Sequence, residues 1–363
     1  MTERTIRFFQ TQLYEWAAQN PRPMPWKGEK DPYLIWLSEI ILQQTRVAQG
    51  LPYYEKFRES FPSVHDLASA SEDDVFKLWE GLGYYSRARN LHAAAKYISH
   101  ERSGAFPDTY EAILNLKGVG PYTAAAIASF GFGLPHAVLD GNVFRVLARY
   151  FGISEPTDST AGKKRFAQVA QNCLDTEDPA GYNQAIMDFG ALQCVPKNPD
   201  CTLCPMRSLC AAHRTGRVAE LPVKAKKIKR RDRFFHFLVV ENDNHYLLRK
   251  RTGKDVWQGL YEFPHIEHNR LEFDRDALQK LPGWRKMMGG VAVSVQGVST
   301  TFKQTLSHQT IYGNFWRINA PVPAIAQQFE GALLVEKARL RDYAFPGIID
   351  LYLREKVLTL ELF

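Results

Sequence analysis

At 363 residues, with 45% hydrophobic and 23% charged residues, the chain has the composition of a soluble globular protein and the length for two domains, each with its own core. The formal net charge of +7 suits an anionic polymer as partner without requiring one. No stretch reaches the roughly 18 apolar residues of a membrane span, and the amino terminus lacks a signal-peptide core, so the expected location is the cytoplasm, without structural disulfides among the 5 cysteines.

In chain order, MTERTIRFFQTQLYEWAAQ carries apolar residues at helical spacing. Asp31 and Pro32 read as the start of a helix over residues 33–47 that is apolar on most faces and should be buried. Glu39 falls in its middle, beside Ile35, Trp36, Leu42 and Gln43. It is either a rim glutamate bonded to Gln43 or Arg46, or an acid whose burial raises its pKa; a lift of about two units would leave part of it protonated near neutral pH. Helices are expected over residues 52–61, after Ser63, over 72–80 with Ser71 and Asp74 as a capping box, and over 86–100. The intervening GLGYYSRARN sets Tyr84 and Arg87 just after glycine turns. Such a loop can wedge an aromatic into a base stack while arginine holds phosphate, or can be a corner with core tyrosines.

Gly118 and Gly120 bracket Val119 ahead of Pro121. This reads as a phosphate grip at a helix start or as an ordinary helical corner. Gly131 and Gly133 end that helix, and a short apolar segment delivers Asp140-Gly141-Asn142 to the next. Asp140 fits a simple cap of that helix. Val143, Val146, Leu147 and Tyr150 form the apolar stripe, with Arg145 and Arg149 elsewhere on the helix surface. Helices over 161–174 and 182–192 lead to Cys194, Cys201, Cys204 and Cys210, spaced C-x6-C-x2-C-x5-C. Four thiolates in one loop can hold an iron-sulfur cluster or zinc, and the single-loop spacing leans toward iron-sulfur. Cys173 stands apart as a core residue. Lys197, Arg207 and Arg214 around the loop could face phosphate, so the loop would shape a DNA-binding surface rather than perform redox chemistry.

VKAKKIKRRDR follows, with Lys224, Lys226, Lys227, Lys229, Arg230, Arg231 and Arg233 against one acid: a solvated linker, or a phosphate-tracking one if both flanking domains touch DNA. Beyond it, FFHFLVV and YLLRKR flank 241–244 as a hairpin, VAVSVQGVSTTF and QTIYGNFWRI alternate as strands do, and a helix should follow Phe345-Pro346. The carboxyl-terminal third is therefore expected to be α+β.

Taken together, SEIILQQT (residues 38–45), LKGVGPYTA (116–124), VLDGNVFRVLAR (138–149) and the cysteine spacing, in that order, make the chain resemble the helix-hairpin-helix DNA glycosylase superfamily, and within it the MutY adenine glycosylases, over nearly its whole length. The resemblance implies a multidomain protein: an all-α helix-hairpin-helix region over 1–215 with one 4Fe-4S cluster on the loop 194–210, a basic linker over 216–232, and an α+β Nudix-like domain over 233–363. It implies a monofunctional adenine glycosylase of base excision repair, monomeric on double-stranded DNA carrying adenine opposite 8-oxoguanine or guanine, and located at the bacterial nucleoid. Glu39 would protonate the departing adenine at N7 and Asp140 would stabilise the sugar cation, with Tyr122 and Asn142 positioning them. Gln43, Gln44, Tyr84, Arg87, Gly118, Val119 and Gly120 would contact DNA. Tyr122 stands where endonuclease III carries a lysine, and tyrosine cannot form a Schiff base, so strand cutting should be weak or absent.

In the same way, Leu306, Ser307 and His308 would read 8-oxoguanine, although the family's loop usually begins with phenylalanine. No REXXEE metal segment occurs, which disfavours a Nudix hydrolase. Two other classes compete: a thymine or uracil mismatch glycosylase, against which the extra domain argues, and a non-catalytic iron-sulfur DNA-binding or redox-sensing protein, against which the pair Glu39 and Asp140 argues.

Overall fold

The computed structural model describes residues 2–225, 229–327 and 331–360, so Lys226 and Lys227 of the basic run lie outside the described residues. The chain divides into two compact units, Met1–Ser69 with Asn90–Lys227, and Ala70–Arg89 with Ile228–Phe363. No helix among the described residues is long and apolar enough to cross a membrane.

The helices up to the cysteine loop are α1 (Glu3–Gln19), α2 (Pro32–Leu42), α3 (Val47–Ser60), α4 (Val64–Ser69), α5 (Glu72–Leu78), α6 (Tyr85–Glu101), α7 (Tyr110–Leu114), α8 (Pro121–Phe132), α9 (Gly141–Phe151), α10 (Thr160–Cys173), α11 (Pro179–Leu192) and α12 (Ala211–Arg214). Short polar residues start most of them: Asp31, Ser71, Thr109, Ser159 and Asp178 each accept a first-turn N–H. In the first unit, Phe9, Leu13 and Trp16 of α1 meet the stripe Val143, Val146, Leu147 and Tyr150 of α9, with Phe166 and Cys173 of α10 and Phe189 of α11. Cys173 is thus the core residue expected.

The expected helix over 33–47 is shorter than its apolar pattern. It ends at Leu42, Gln44 turns through a left-handed φ of 55°, and α3 begins at Val47 and runs through Pro52. Gly50 lets α3 pack closely against α2 once the chain has turned: a Cβ there would lie 2.7 Å from Leu42 Cδ2.

Segment 70–89, read from the sequence as part of the helical region, groups with the carboxyl-terminal residues. Asp73 accepts from Lys250 at 2.6 Å and from the Tyr261 hydroxyl at 2.8 Å, Glu80 accepts from the Phe345 N–H at 3.1 Å, and Arg89 donates to the Gln258 carbonyl. These contacts join residues far apart in sequence, which local patterns cannot report.

The rest of the second unit comprises β1 (Arg231–Glu241), β2 (His245–Lys250), β3 (Tyr261–Glu262), β4 (His265–His268), α13 (Arg275–Lys280), α14 (Pro282–Met288), β5 (Ser294–Val298), β6 (Phe302–Thr305), β7 (Gln309–Asn319), α15 (Val322–Ala326), β8 (Ala332–Glu336), a 3-10 turn over Lys337–Asp342 and α16 (Gly347–Leu360). The sheet runs β3-β2-β1-β7-β5, with β4 on β1, β6 on β7 and β8 on β2. Strands β1 and β7 pair in parallel from Arg231↔Gln309 to Glu241↔Asn319, and the other pairs are antiparallel. The expected β1–β2 hairpin forms around Asn242, whose side chain accepts from the N–H groups of Asn244 and His245. The long strand expected over 291–302 is instead β5, with a register shift between Val295 and Gly297, and β6.

Candidate active site

Three helix segments converge on one cleft of about 850 Å³ in the first unit, a size suited to a small ligand. Helix α2 is buried through Ile35, Trp36, Leu37, Ile40 and Ile41, and Glu39 leaves that apolar set to line the cleft. Tyr122 lies in the first turn of α8, behind Gly120 and Pro121. Asp140 caps α9, accepting from the Val143 N–H at 2.7 Å, so the capping reading of this residue is correct and coexists with its place in the cleft. Asn142 Nδ2 donates to the other Asp140 oxygen at 2.8 Å.

These surroundings separate the two carboxyls. Burial pushes the Glu39 carboxyl up to about 7; a hydrogen bond from the Tyr122 hydroxyl opposes the shift and the Asp140 charge adds to it. Burial raises Asp140 as well, but the Val143 and Asn142 donors and the Arg145 charge pull against it. Tyr122 is held well above the usual phenol range by burial and then by the two carboxylates, so it stays a donor. Glu39 is therefore suited to hold a proton, whereas the donors around Asp140 favour its charged form.

Arg145 and Arg149, expected on the surface of α9, are instead 8% and 3% exposed. Each guanidinium spends most of its donors on carbonyls in the last turn of α11 and in the loops after it, which no helix or strand bond satisfies. Arg145 donates to Cys194 O (2.7 Å), Gly190 O (2.6 Å) and Asn142 Oδ1 (2.8 Å), and Arg149 to Val195 O (2.7 Å), Pro196 O (3.0 Å), Val218 O (3.0 Å) and Leu221 O (3.1 Å). A continuous path of hydrogen bonds thus runs from the cysteine loop through Arg145 and Asn142 to Asp140.

No disulfide joins the four loop cysteines. Among the described residues no three His, Cys, Asp or Glu side chains are set to hold a metal ion as they stand. The loop thiols nonetheless share one neighbourhood. Burial pushes Cys204 up to about 12 and raises Cys201 and Cys210, and negative charge on their fellow cysteines adds to each shift. Arg149 Nη1 lies 3.4 Å from Cys194 Sγ. Such a soft, mutually repelling donor set fits a cationic metal centre, which would relieve the repulsion.

Gly118 has φ 82° and Val119 closes a turn back to Leu116 O at 3.1 Å. No side chain caps α8 at Gly120, so first-turn N–H groups stay free for an anion. A Cβ on Gly118 would lie 2.6 Å from Asn90 Cβ, so glycine is needed there for space as well as conformation. Gln43 donates to Thr123 Oγ1 at 3.1 Å, and it lines the cleft together with Gln44.

The cleft also contains residues the sequence reading passed over. Asp188 takes Lys27 at 2.6 Å, Arg22 at 3.2 Å and Gln184 at 3.2 Å, and with Trp26 and Met187 these line the wall. The available signal was the one that singled out Glu39: Asp188 is the lone acid in the apolar helix PAGYNQAIMDFGAL.

In the second unit, Leu306, Ser307 and His308 form the turn between β6 and β7, closed by Leu306 N–H to Gln309 O at 2.8 Å. Tyr84, 47% exposed at φ 51°, shares a 2.7 Å hydrogen bond with Ser307 Oγ. Together with Asp255 and Trp257 they line a cleft of about 500 Å³. Arg87 stacks over Trp79 (5.2 Å) and Tyr84 (5.3 Å), which sets it behind the tyrosine rather than in open solvent.

Comparison with known proteins fits this geometry. Residues 37–170 match the HhH-GPD superfamily base excision DNA repair protein family, and residues 236–355 match the NUDIX domain. The adenine DNA glycosylase of Buchnera aphidicola subsp. Baizongia pistaciae is 35% identical over 312 residues, 85% of each chain. That of Homo sapiens is 41% identical over 216 residues, 57% of this chain and 40% of the human one. Among solved structures, a thermostable thymine-DNA glycosylase aligns with TM-score 0.55 and 29% identity over 58% of this chain and 98% of its own. A non-covalent endonuclease III–DNA complex aligns with TM-score 0.52 and 19% identity over 60% of this chain and 98% of its own, a likeness of fold.

Proposed function

Because this chain belongs to the adenine DNA glycosylase family, DNA repair enzymes that hydrolyse the N-glycosyl bond of adenine, we propose that its substrate is adenine paired with 8-oxoguanine or guanine and that it leaves the strand uncut. A base inside a duplex cannot be reached, so it must be extruded. The cleft walled by Trp26, Lys27, Gln184 and Met187 would receive it. Glu39, protonated in part near neutral pH, would give its proton to the departing base, a step worth about 10²- to 10⁴-fold. Ionised Asp140 would stabilise the sugar cation, oriented by Asn142, which Arg145 holds in turn. The observation that carries this reading is the pair itself: one carboxyl raised to about 7 beside another supplied with hydrogen-bond donors, in one cleft.

Two features support cleavage of the base alone. Tyr122 offers no amine, and the amines lining the cleft are engaged, Lys27 with Asp188 at 2.6 Å and Lys30 with Phe130 O at 3.3 Å. Opposite the adenine, Ser307 and His308, flanked by Tyr84, would read the oxidised base. Cys194, Cys201, Cys204 and Cys210 would hold one 4Fe-4S cluster. With a cluster held there, the loop would present Lys197 and Arg207 for phosphate contact. The enzyme would act as a monomer in the cytoplasm, at the bacterial nucleoid.

The test is a labelled duplex with adenine opposite 8-oxoguanine, incubated with excess enzyme and divided into samples with and without hot alkali. Breaks that appear only after alkali are expected. Breaks without alkali would refute the uncut product, and no breaks in either sample would turn attention to thymine and uracil mismatches.

A further inference from the structure

Lys303 of β6, Tyr312 of β7, Phe234 of β1 and His268 of β4 are successive cross-strand partners in one row of the second unit. The rings of Phe234 and Tyr312 stack at 5.4 Å and 18°. The Lys303 ammonium lies over Tyr312 at 5.4 Å. At the far end His268 meets the ring of Phe273 edge-on at 4.9 Å, and the Arg270 guanidinium lies over that ring at 5.0 Å. The four rings are half-buried, and both cations are exposed. Further along the same face Leu238 and Trp316 join a core with Leu278 of α13 and Trp284 and Met287 of α14; Phe273 packs against that core, and neither Phe234 nor Tyr312 belongs to it.

We infer that this row is a stacking platform for single-stranded DNA. Every base has a face that can stack on an aromatic ring, and rings set across a four-stranded sheet hold two or three bases in known single-strand binders. Three strand spacings of roughly 4.8 Å separate Lys303 from His268, about 14 Å, the length for such a run. Lys303 and Arg270 supply positive charge at its two ends, and Lys229, Arg230 and Arg231 lead into β1 beside it, against one acid on that approach, Asp232. The platform also continues from the turn 306–308: Tyr312 is three residues past Gln309, roughly 10 Å along β7. A strand that leaves the reading turn unpaired would pass onto it.

The test uses the full chain and an oligodeoxythymidine 12-mer carrying 5-iododeoxyuridine, which on irradiation joins to aromatic residues in contact, followed by peptide mapping. Crosslinks at Tyr312, Phe234 or Phe273 are expected; crosslinks confined to residues 1–225 or to the turn 306–308 would overturn the inference. In fluorescence anisotropy, Tyr312→Ala and Lys303→Glu should each weaken binding of oligodeoxythymidine about tenfold, within the range for one stacked base. Tyr312→Phe should keep the affinity, and adenine release from a short lesion duplex should not change in any of the three. An abasic oligomer with the same number of phosphates should bind more weakly and ignore Tyr312→Ala. Equal binding of the two oligomers, or wild-type affinity in both Tyr312→Ala and Lys303→Glu, would refute the platform. Should Tyr312→Ala fail to fold, the exposed Lys303→Glu and the crosslink map decide.

Discussion

Glu39→Gln separates the chemistry of the cleft from its stability. The wild-type carboxyl is raised from 4.5 to about 7, mainly by burial. At 1.36 kcal/mol per pKa unit this places about 3 kcal/mol of ionisation cost on the native state. The sign follows from proton binding. Between pH 4.5 and 7 the folded protein holds a proton that the unfolded chain has released, so stability falls as pH rises through that window and stays low above it. Glutamine has no ionisation to suffer. The variant should therefore be more stable than wild type at pH 8 by up to about 3 kcal/mol, with little difference at pH 4.5. In a unit of about 200 residues each kcal/mol moves Tm by roughly 2–4 °C, so several degrees are expected at pH 8. Single-turnover adenine release should fall by about 10²- to 10⁴-fold in the same variant. In the wild type, release should decline above about pH 7 as Glu39 loses its proton. Thermal unfolding of both proteins at the two pH values, with the rate assay alongside, checks all three. Equal stabilisation at both pH values, or none at pH 8, would refute the assignment of a buried, proton-holding Glu39.

Asp140→Asn should lose release by about 10²-fold or more while Tm changes little, because asparagine caps a helix about as well as aspartate; single-turnover rates and a melting curve measure the two effects. Arg145→Met leaves the carbonyls of Cys194 and Gly190 and the Asn142 amide oxygen without their donor. It should cost roughly 3–5 kcal/mol in unfolding and lower the release rate by freeing Asn142, whereas Asn142→Ala should lower the rate with the smaller stability loss. Tyr84→Phe and Ser307→Ala each remove one side of the 2.7 Å hydrogen bond and, on the proposed role of this turn, should lower the ratio of adenine release opposite 8-oxoguanine to that opposite guanine by about tenfold or less, read from the two duplexes. Gly118→Ala forces a side chain onto a φ of 82° and against Asn90, and should weaken binding to an uncleavable duplex in anisotropy, together with a loss of roughly 1–3 kcal/mol in stability.

What could be read from the chain depended on the range of the interaction. Glu39 was visible because a carboxylate in an apolar helix breaks the local pattern, and the α9 stripe because its spacing is local. Half of the capping box at Ser71 and Asp74 forms: Ser71 accepts the Asp74 N–H at 3.0 Å, while the Asp74 carboxylate accepts from the Ser71 hydroxyl at 2.6 Å. Contacts between distant residues were hidden. The close packing of α3 on α2 depends on Gly50 meeting Leu42, and the place of segment 70–89 depends on Lys250, Tyr261 and Phe345. The short strands β3, β4 and β8 take their identity from partners rather than from their own few residues. Arg145 and Arg149 misled for a related reason. An arginine beside an apolar stripe ordinarily lies outside, and only the carbonyls of an irregular loop, absent from any local pattern, bring it in.

That irregular loop accounts for why the buried arginines sit on α9 in particular. A loop of cysteines at 194–210 cannot satisfy its own backbone through helix or strand bonds, so its carbonyls need donors from a neighbour. The neighbour is the helix whose first residues are Asp140, Gly141 and Asn142. Once Arg145 supplies those donors it is fixed at both ends, by the Cys194 and Gly190 carbonyls and by Asn142, and Asn142 in turn has its amide oriented toward Asp140. Loss of order in the loop would therefore loosen the carboxylate through three hydrogen bonds, without contact between the cysteines and the reacting sugar. The dependence can be observed without substituting any residue in the cleft: Cys201→Ser, remote from Asp140 in sequence, should lower the rate of adenine release even in the fraction of enzyme that still binds duplex. A release rate per bound enzyme equal to wild type would show that the loop serves DNA binding alone.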